Sequence, residues 1–279
     1  MMKRYSKLVL LAALLGLGVS APKAQEEAFR VCADPANPPL STRNQDGFEN
    51  RIAALLAREL GQKVEYTWFP QRIGFLRNTL KKKDPDTGRY RCDVVMGVPA
   101  GYELAATTKP YYRSTYVLAV AKGKGFDDIQ RPSQLFELPE ERKRQLKIAM
   151  FDRTSGVTWL LRHGLLKQGR TYQSMTGDPE VNTAMRLERE FDAGNVNMAI
   201  VWGPIGAYLA WKHPDDYTLI PLKSEKGVRF HYAISMAVRR GDKARRDQLQ
   251  QLLDAKRDDI LAILREYHVP LVDKEGNPL

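Results

Sequence analysis

Cysteine and histidine are scarce: two cysteines and four histidines in 279 residues. A structural zinc site of four thiolates is therefore excluded, and His163, His213, His231 and His268 show no ligand spacing. Also missing is any apolar run long enough to span a bilayer, since the longest, Leu8 to Val19, is too short. Aromatics do not interleave the basic runs Lys81-Lys82-Lys83, Arg142-Lys143-Arg144 and Arg245-Arg246, so these read as solvated faces and nucleic acid is not an expected partner. There is no repeat at a fixed period and no low-complexity stretch. Asp84-Pro85-Asp86-Thr87-Gly88 begins like a calcium loop, but Val95 stands where the twelfth-position carboxylate is needed, so a turn is expected and no metal.

What is present begins with an export signal. Lys3, Arg4 and Lys7 precede the apolar run, and small residues come after it at Ser20, Ala21 and Ala24. This is the pattern of a secretory signal peptide, expected to span residues 1–24, because cleavage after Ala21 would put Pro22 behind the cut. No cysteine stands there to carry a lipid, so an exported periplasmic chain without a membrane anchor is expected. Removing the four basic residues of that segment (Lys3, Arg4, Lys7, Lys23) from the formal charge of +11 leaves +7, which suits an acidic partner or surface. In an oxidising compartment Cys32 and Cys92, each in or opening a predicted strand, are candidates for one disulfide. The bridge requires neighbouring strands, since Cα atoms beyond about 7 Å cannot be joined. Two buried thiols are the alternative.

The remaining pattern is α/β. Phe29 to Ala33 reads as a strand ending in the Pro/Asn-rich loop Asp34 to Pro39. A helix is expected over Phe48 to Gly61, with Ile52, Leu55, Leu56 and Leu60 at helical spacing and Gly61 as its stop. Val64 to Phe69 alternates as a strand, and a helix is expected from Pro70 to about Lys82 with Ile73, Leu76 and Leu80 on its face. The stretch Cys92 to Tyr116 organises the rest of the chain. It holds an apolar strand through Gly97, a loop rich in Pro, Gly and Thr, and then the strand Tyr116 to Val120. A second unit runs through strands at Leu146 to Phe151, Met198 to Val201 and Thr218 to Leu222, with helices Val157 to Leu166 and Gly203 to about Trp211. Tyr232 to Val238 returns as a strand before a helical region, Lys243 to Tyr267. Leu135 to Gln145 reads as a polar connector. Strand–helix alternation predicts parallel sheets covered by helices, with ligands at the strand carboxyl ends. Two lobes are expected, residues 25–120 with 233–279 and residues 121–232, joined by a hinge of two segments near Ala119–Lys122 and His231–Ile234.

Several runs resemble a known family. Arg30-Val31-Cys32-Ala33-Asp34, Gly47-Phe48-Glu49-Asn50, Cys92 to Gly97, Pro110-Tyr111-Tyr112, Thr154-Ser155-Gly156 and Glu266 to Pro270 resemble type 2 periplasmic binding proteins, extracellular solute-binding protein family 3. Tyr66 to Arg72, Gly74 to Leu80, Cys92 to Gly101 and Lys109 to Tyr116 are similar to its quinoprotein-dehydrogenase-associated subgroup, the MxaJ/XoxJ proteins. The resemblance implies a type 2 periplasmic binding protein fold, no catalysis and no cofactor of its own. It also implies a role in maturing or activating a methanol dehydrogenase that carries pyrroloquinoline quinone. Amino-acid binders of the broad family place an arginine after the third-strand loop and an aspartate after a second-lobe strand. Here the loop is Val98 to Leu104 without arginine, and the second position is Trp202. A zwitterion would meet neither counter-charge there, so free α-amino acids are not expected ligands.

Candidate cleft residues are drawn from the strand ends. Trp68, Phe75, Tyr102, Tyr112, Trp159 and Trp202, with Pro39, Gly97 and Pro99, would suit a flat, apolar or peptide-like guest. Core packing is the competing reading for Phe75 and Trp159. Gln71, Arg72 and Arg77 could hold an anion or a partner's carboxylate. Asp152, Thr154 and Ser155 ahead of a helix form an anion-binding turn or a plain cap. Asp34, Glu49 and Asp152 could serve as acid and base in a dehydratase-type enzyme, although no nucleophile–base set accompanies them. A transport receptor for a small non-amino-acid solute is the other alternative.

Overall fold

The computed structural model describes residues 28–174 and 181–279. The expected signal peptide lies outside them. Among the described residues no helix is long and apolar enough to cross a membrane.

The first lobe is built from β1 (Phe29–Ala33), a short ribbon of β2 (Ala36–Asn37) and β3 (Ser41–Thr42), α1 (Phe48–Glu59), β4 (Val64–Trp68), α2 (Phe75–Asn78), β5 (Val94–Pro99) and β6 (Ala106–Thr107). β1 lies between β4 and β5 and is parallel to both. α1 forms where the helical spacing predicts, and Ile52, Leu55 and Leu56 bury against Phe29, Val31, Val94 and Met96. Each such side chain contributes roughly 1.5–3 kcal/mol. The opposite face of the sheet packs Cys32, Phe75, Leu80, Cys92 and Val95. Cys32 and Cys92 are bridged, with Cα atoms 5.4 Å apart, as the neighbouring strands allow. Beside the bridge Asp93, 7% exposed at its side chain, is held between Arg30 and Arg239 at 2.8 and 2.7 Å.

The helix expected from Pro70 to Lys82 is a correction. Only Phe75–Asn78 is helical, because Gly74 sits at φ 89° and resets the chain direction. Ile73, placed on the buried face by spacing, is 74% exposed.

β7 (Tyr112–Ala121) leads out of this lobe. The connector forms α3 (Gln134–Glu137) and α4 (Glu140–Gln145), and then come β8 (Ile148–Phe151), α5 (Ser155–Arg162), β9 (Gly169–Tyr172), α6 (Thr183–Asp192), β10 (Met198–Trp202), α7 (Gly203–Lys212) and β11 (Tyr217–Pro221). β12 (His231–Val238) returns, and the terminal helical region is two helices, α8 (Lys243–Ala255) and α9 (Arg257–Glu266), separated at Lys256. β8 and β10 are parallel neighbours and β9 extends that edge. β9 and α6 have no counterpart in the sequence reading.

β7 and β12 join the lobes. Tyr112 to Thr115 pair antiparallel with His231 to Ile234 of β12, whereas Tyr116 to Val120 pair with β10 and Val117 to Ala121 with β11. β7 thus changes partners between Thr115 and Tyr116, ahead of the Ala119–Lys122 segment expected from the sequence. Beyond that point its side chains are buried on both faces: Leu118 and Val120 pack with Trp159 and Ile200, while Val117 and Ala119 pack with Leu187 and Val201. At the crossing the hydroxyl of Ser114 donates to the Pro270 carbonyl at 2.8 Å and that of Thr115 to Leu222 at 2.6 Å.

Candidate functional site

The strand ends of the first lobe face the helix N-termini of the second across a cavity of about 480 Å³. That volume is in the range of small-molecule sites. One wall is built by the loop after β1, the first turn of α1 and the end of β5. The other comes from Phe151 and Thr154, the start of α6, and Trp202 with Ile205. The crossing strands supply Tyr112, Tyr116, Tyr232 and Ile234.

Glu49 is the central acid. The loop before α1 folds over the helix start, so that the Phe48 and Glu49 amides donate to the carbonyls of Pro39 and Leu40 at 2.8 and 2.9 Å. This carries Glu49 inward to 9% exposure. Gly97 makes the room, since a Cβ there would collide with the Glu49 Oε1. Burial, and secondly the Asp34 carboxylate, push the Glu49 carboxyl up to about 8, so it is mostly protonated at neutral pH. Asp34 itself accepts from the amides of Ala36 at 2.9 Å and Gln71 at 2.6 Å. Around Glu49, burial drives the hydroxyls of Tyr111 and Tyr112 well above their ordinary range. Tyr111 donates to the Met96 carbonyl at 2.9 Å, and Tyr112 packs edge-on to Phe48 with centroids 6.1 Å apart.

Tyr116, Trp202 and Tyr232 form an aromatic trio, with centroids 5.4 Å apart for Tyr116–Trp202 and 6.0 Å for Trp202–Tyr232. Burial, with Tyr232 adding to it, pushes the Tyr116 hydroxyl to about 12. The Arg229 guanidinium lies 4.6 Å over the Tyr232 ring. On the second-lobe wall the Asn182 side chain caps α6, accepting from the Met185 amide at 2.9 Å. One turn in, Arg186 is half-buried, lines the cavity, and makes no hydrogen bond or ion pair through its side chain among the described residues.

Of the expected cleft residues, Asp34, Glu49, Gln71, Gly97, Pro99, Tyr112, Thr154 and Trp202 line this cavity together. The others stand elsewhere. Phe75 (7% exposed) and Trp159 (4%) are core: the first packs with the disulfide, the second 5.2 Å from Phe136 and 6.1 Å from Phe230. Tyr102 leans on the Phe75 cluster. Trp68 stacks on Tyr66 at 4.5 Å, outside the lining. Pro39 contributes its carbonyl to α1 rather than a cavity surface. Arg72 lies over Phe69 at 5.1 Å, and Arg77 is exposed on α2. Asp152 turns to the Ser174 amide at 2.6 Å, which holds its carboxyl below the ordinary range. Thr154 occupies the N-cap position without capping, because its hydroxyl donates to the Phe151 carbonyl at 2.6 Å. Ser155 donates to the Arg229 carbonyl. The sequence reading missed Arg186, Asn182 and Tyr232. Tyr232 could have been found from strand alternation; the two at α6 carry no such signal. Among the described residues no group of three or more His, Cys, Asp or Glu could hold a metal.

No family model matches the chain. It is 27% identical over 271 residues to the protein MoxJ of Methylorubrum extorquens, across 90% of this chain and 84% of that one. Among solved structures it matches the periplasmic binding protein XoxJ from Methylobacterium extorquens AM1 with a TM-score of 0.69 and 30% identity, over 88% of this chain and 100% of that one. It matches MxaJ from Methlophaga aminisulfidivorans MPT with a TM-score of 0.70 and 24% identity, at the same coverage.

Proposed function

The chain belongs to the MxaJ/XoxJ-type periplasmic binding proteins of solute-binding protein family 3, and from that membership we propose that it is a periplasmic accessory factor of a methanol dehydrogenase dependent on pyrroloquinoline quinone, assisting its maturation or activation. The observation that carries this reading is the 30% identity sustained along the whole of XoxJ. The aromatic walls of the cavity support it, since Tyr112, Tyr116, Trp202 and Tyr232 offer rigid apolar area for a segment of a larger partner. The net charge of the exported chain favours an acidic partner face.

The role is binding, not catalysis. Asp152, one of three candidate acids, does not line the cavity and accepts from the Ser174 amide at 2.6 Å. Residues 25–120 with 233–279 act as one lobe and 121–232 as the other, and the partner meets the cleft rim between them.

Affinity capture on the exported chain from periplasm, followed by reconstitution with the purified dehydrogenase, tests the proposal. Recovery of a quinoprotein dehydrogenase whose activity rises on adding the chain, and rises less with Tyr112→Ala or Trp202→Ala, is the expected result. No rise in activity at saturating chain would refute it. A second reading, a transporter's receptor for a small solute, is favoured by one feature, the enclosure of Glu49 and Arg186 in the same cavity.

A further inference from the structure

Two ionisable side chains of the cavity form no ion pair among the described residues. Glu49 is about nine-tenths buried, faces the cavity beside Gly97, and accepts no hydrogen bond among the described residues. Tyr111 gives its hydroxyl hydrogen to the Met96 carbonyl instead, and Asp34 repels. An ionised carboxylate left so would be costly, and the group holds its proton instead. On the opposite wall Arg186 lines the same cavity without a side-chain hydrogen bond or ion pair among the described residues. The two come from opposite walls of the cavity and form no hydrogen bond or ion pair with each other. Between them lie the faces of Tyr116, Trp202 and Tyr232, which attract an organic cation and pack its carbon chain.

We propose that the cavity binds a small organic zwitterion whose ammonium and carboxylate are separated by a short carbon chain. The ammonium is received by Glu49 and Asp34, the aromatic trio encloses the chain, and the Arg186 guanidinium takes the carboxylate as a fork. A free α-amino acid carries both charges on one carbon and offers the shortest separation between them. The first-lobe wall is acidic and the second basic, so the polarity is opposite to that of the missing amino-acid clamp. Binding is coupled to a proton: the ligand's ammonium replaces the proton of Glu49, which leaves to solvent as the carboxyl becomes carboxylate. The titratable groups facing Glu49 are Asp34, Tyr66, Tyr111 and Tyr112; the shifts resolved for the three tyrosines are all upward, so they keep their protons through this exchange.

The proposal concerns the isolated chain and does not rest on which dehydrogenase it serves. The experiment is titration calorimetry at pH 7 on the full exported chain. The probes are an ω-amino acid series from β-alanine through γ-aminobutyrate to ε-aminocaproate, with the alkylamine and alkanoate of each length, in two buffers of different ionisation enthalpy. One length is expected to bind at least about tenfold tighter than its amine and its alkanoate, a gain of about 1.4 kcal/mol, with release of close to one proton. Glu49→Gln should abolish the proton release, and Arg186→Gln should bring the zwitterion down to the affinity of the amine. Arg186→Gln should unfold at a temperature near that of the parent chain, and Glu49→Gln at or above it, since glutamine leaves no carboxyl to ionise in the buried site at pH 7. If no length outbinds both its amine and its alkanoate, or Glu49→Gln binds with unchanged affinity and proton count, the proposal fails. Failure there leaves dehydrogenase activation untouched, and failed activation leaves these titrations valid.

Discussion

Replacing Glu49 by Gln should change how stability depends on pH. The carboxyl is pushed from its ordinary 4.5 to about 8 in the folded chain, mainly by burial and secondly by Asp34. Between those two values the native state holds a proton that the unfolded chain has released. The contribution of this proton is complete below the unfolded value and is lost as pH rises through the folded one. Each unit between them removes about 1.4 kcal/mol, so the whole window is worth roughly 5 kcal/mol. Glutamine is near-isosteric and does not titrate, so the variant lacks this slope while keeping every other group's contribution. Urea unfolding of both chains at half-unit steps from about pH 4.5 to 8.5 gives the difference directly, with unrelated titrations cancelling. The variant should gain steadily on the parent as pH rises and level off above about pH 8. A difference that stays flat across the window would mean that the Glu49 carboxyl is solvated or its carboxylate paired. That result would refute both the burial argument and the claim that the cavity floor lacks a donor.

Three further outcomes are expected from the same structure. Serine at both Cys32 and Cys92 opens a loop with a sequence separation of 60, and the chain-entropy relation gives a loss of about 4 kcal/mol, measurable in urea. Alanine at Gly97 brings a Cβ onto the Glu49 carboxyl; it should cost about 1–3 kcal/mol, and a double-mutant cycle with Glu49→Ala should recover most of that. Asp93→Ala leaves Arg30 and Arg239 facing each other without their shared carboxylate, a change expected to cost about 3–5 kcal/mol and to lower the melting temperature, with less loss when Arg239 is also replaced by Leu.

The parts of the fold legible in the sequence are those with a short-range signal. β5, β8 and β10 are apolar runs with sharp ends, and α1 carries a clean helical stripe closed by Gly61. The bridge was legible as two cysteines on strands, and the fold makes those strands neighbours. α2 is misread from sequence because its apolar spacing is real, while Gly74 at positive φ lets Phe75 and Leu80 bury without a helix between Pro70 and Ile73. β9 and α6 escape notice because little of them is apolar: α6 buries only Ala184, Leu187 and Phe191. Arg186 sits beside that narrow stripe and looks like any solvated charge. The strand-end rule pointed to Asp34, Gly97 and Trp202, and all three line the cavity. It could not separate Trp202, which faces the cavity, from Trp159, which faces the core, because both stand among apolar residues. Glu49 was visible as a motif residue, but not its burial. A carboxylate in the first turn of a helix is ordinarily solvated and stabilised by the helix dipole. Here Gly97, on a strand far along the chain, and the fold-over at Leu40 take that solvent away, which no local pattern encodes.

The position of the cavity also ties recognition to the joint between the lobes. Tyr112 and Tyr116 lie on β7, Tyr232 and Ile234 on β12, and these four line the cavity from the two strands that cross between the lobes. Tyr112 and Tyr116 bracket the point where β7 leaves β12 for β10. An occupant therefore touches the crossing itself as well as both walls. A ligand shifts a conformational equilibrium only by as much as its contacts differ between the states. Contacts with one wall alone would be the same however the lobes stood. Glu49 and Arg186 come from opposite lobes, so an occupant that answers both is satisfied in one relative placement and loses an ion pair in others. The separation of the two charges, rather than the apolar area between them, is what would let a bound molecule select the arrangement of the rim that a partner protein meets.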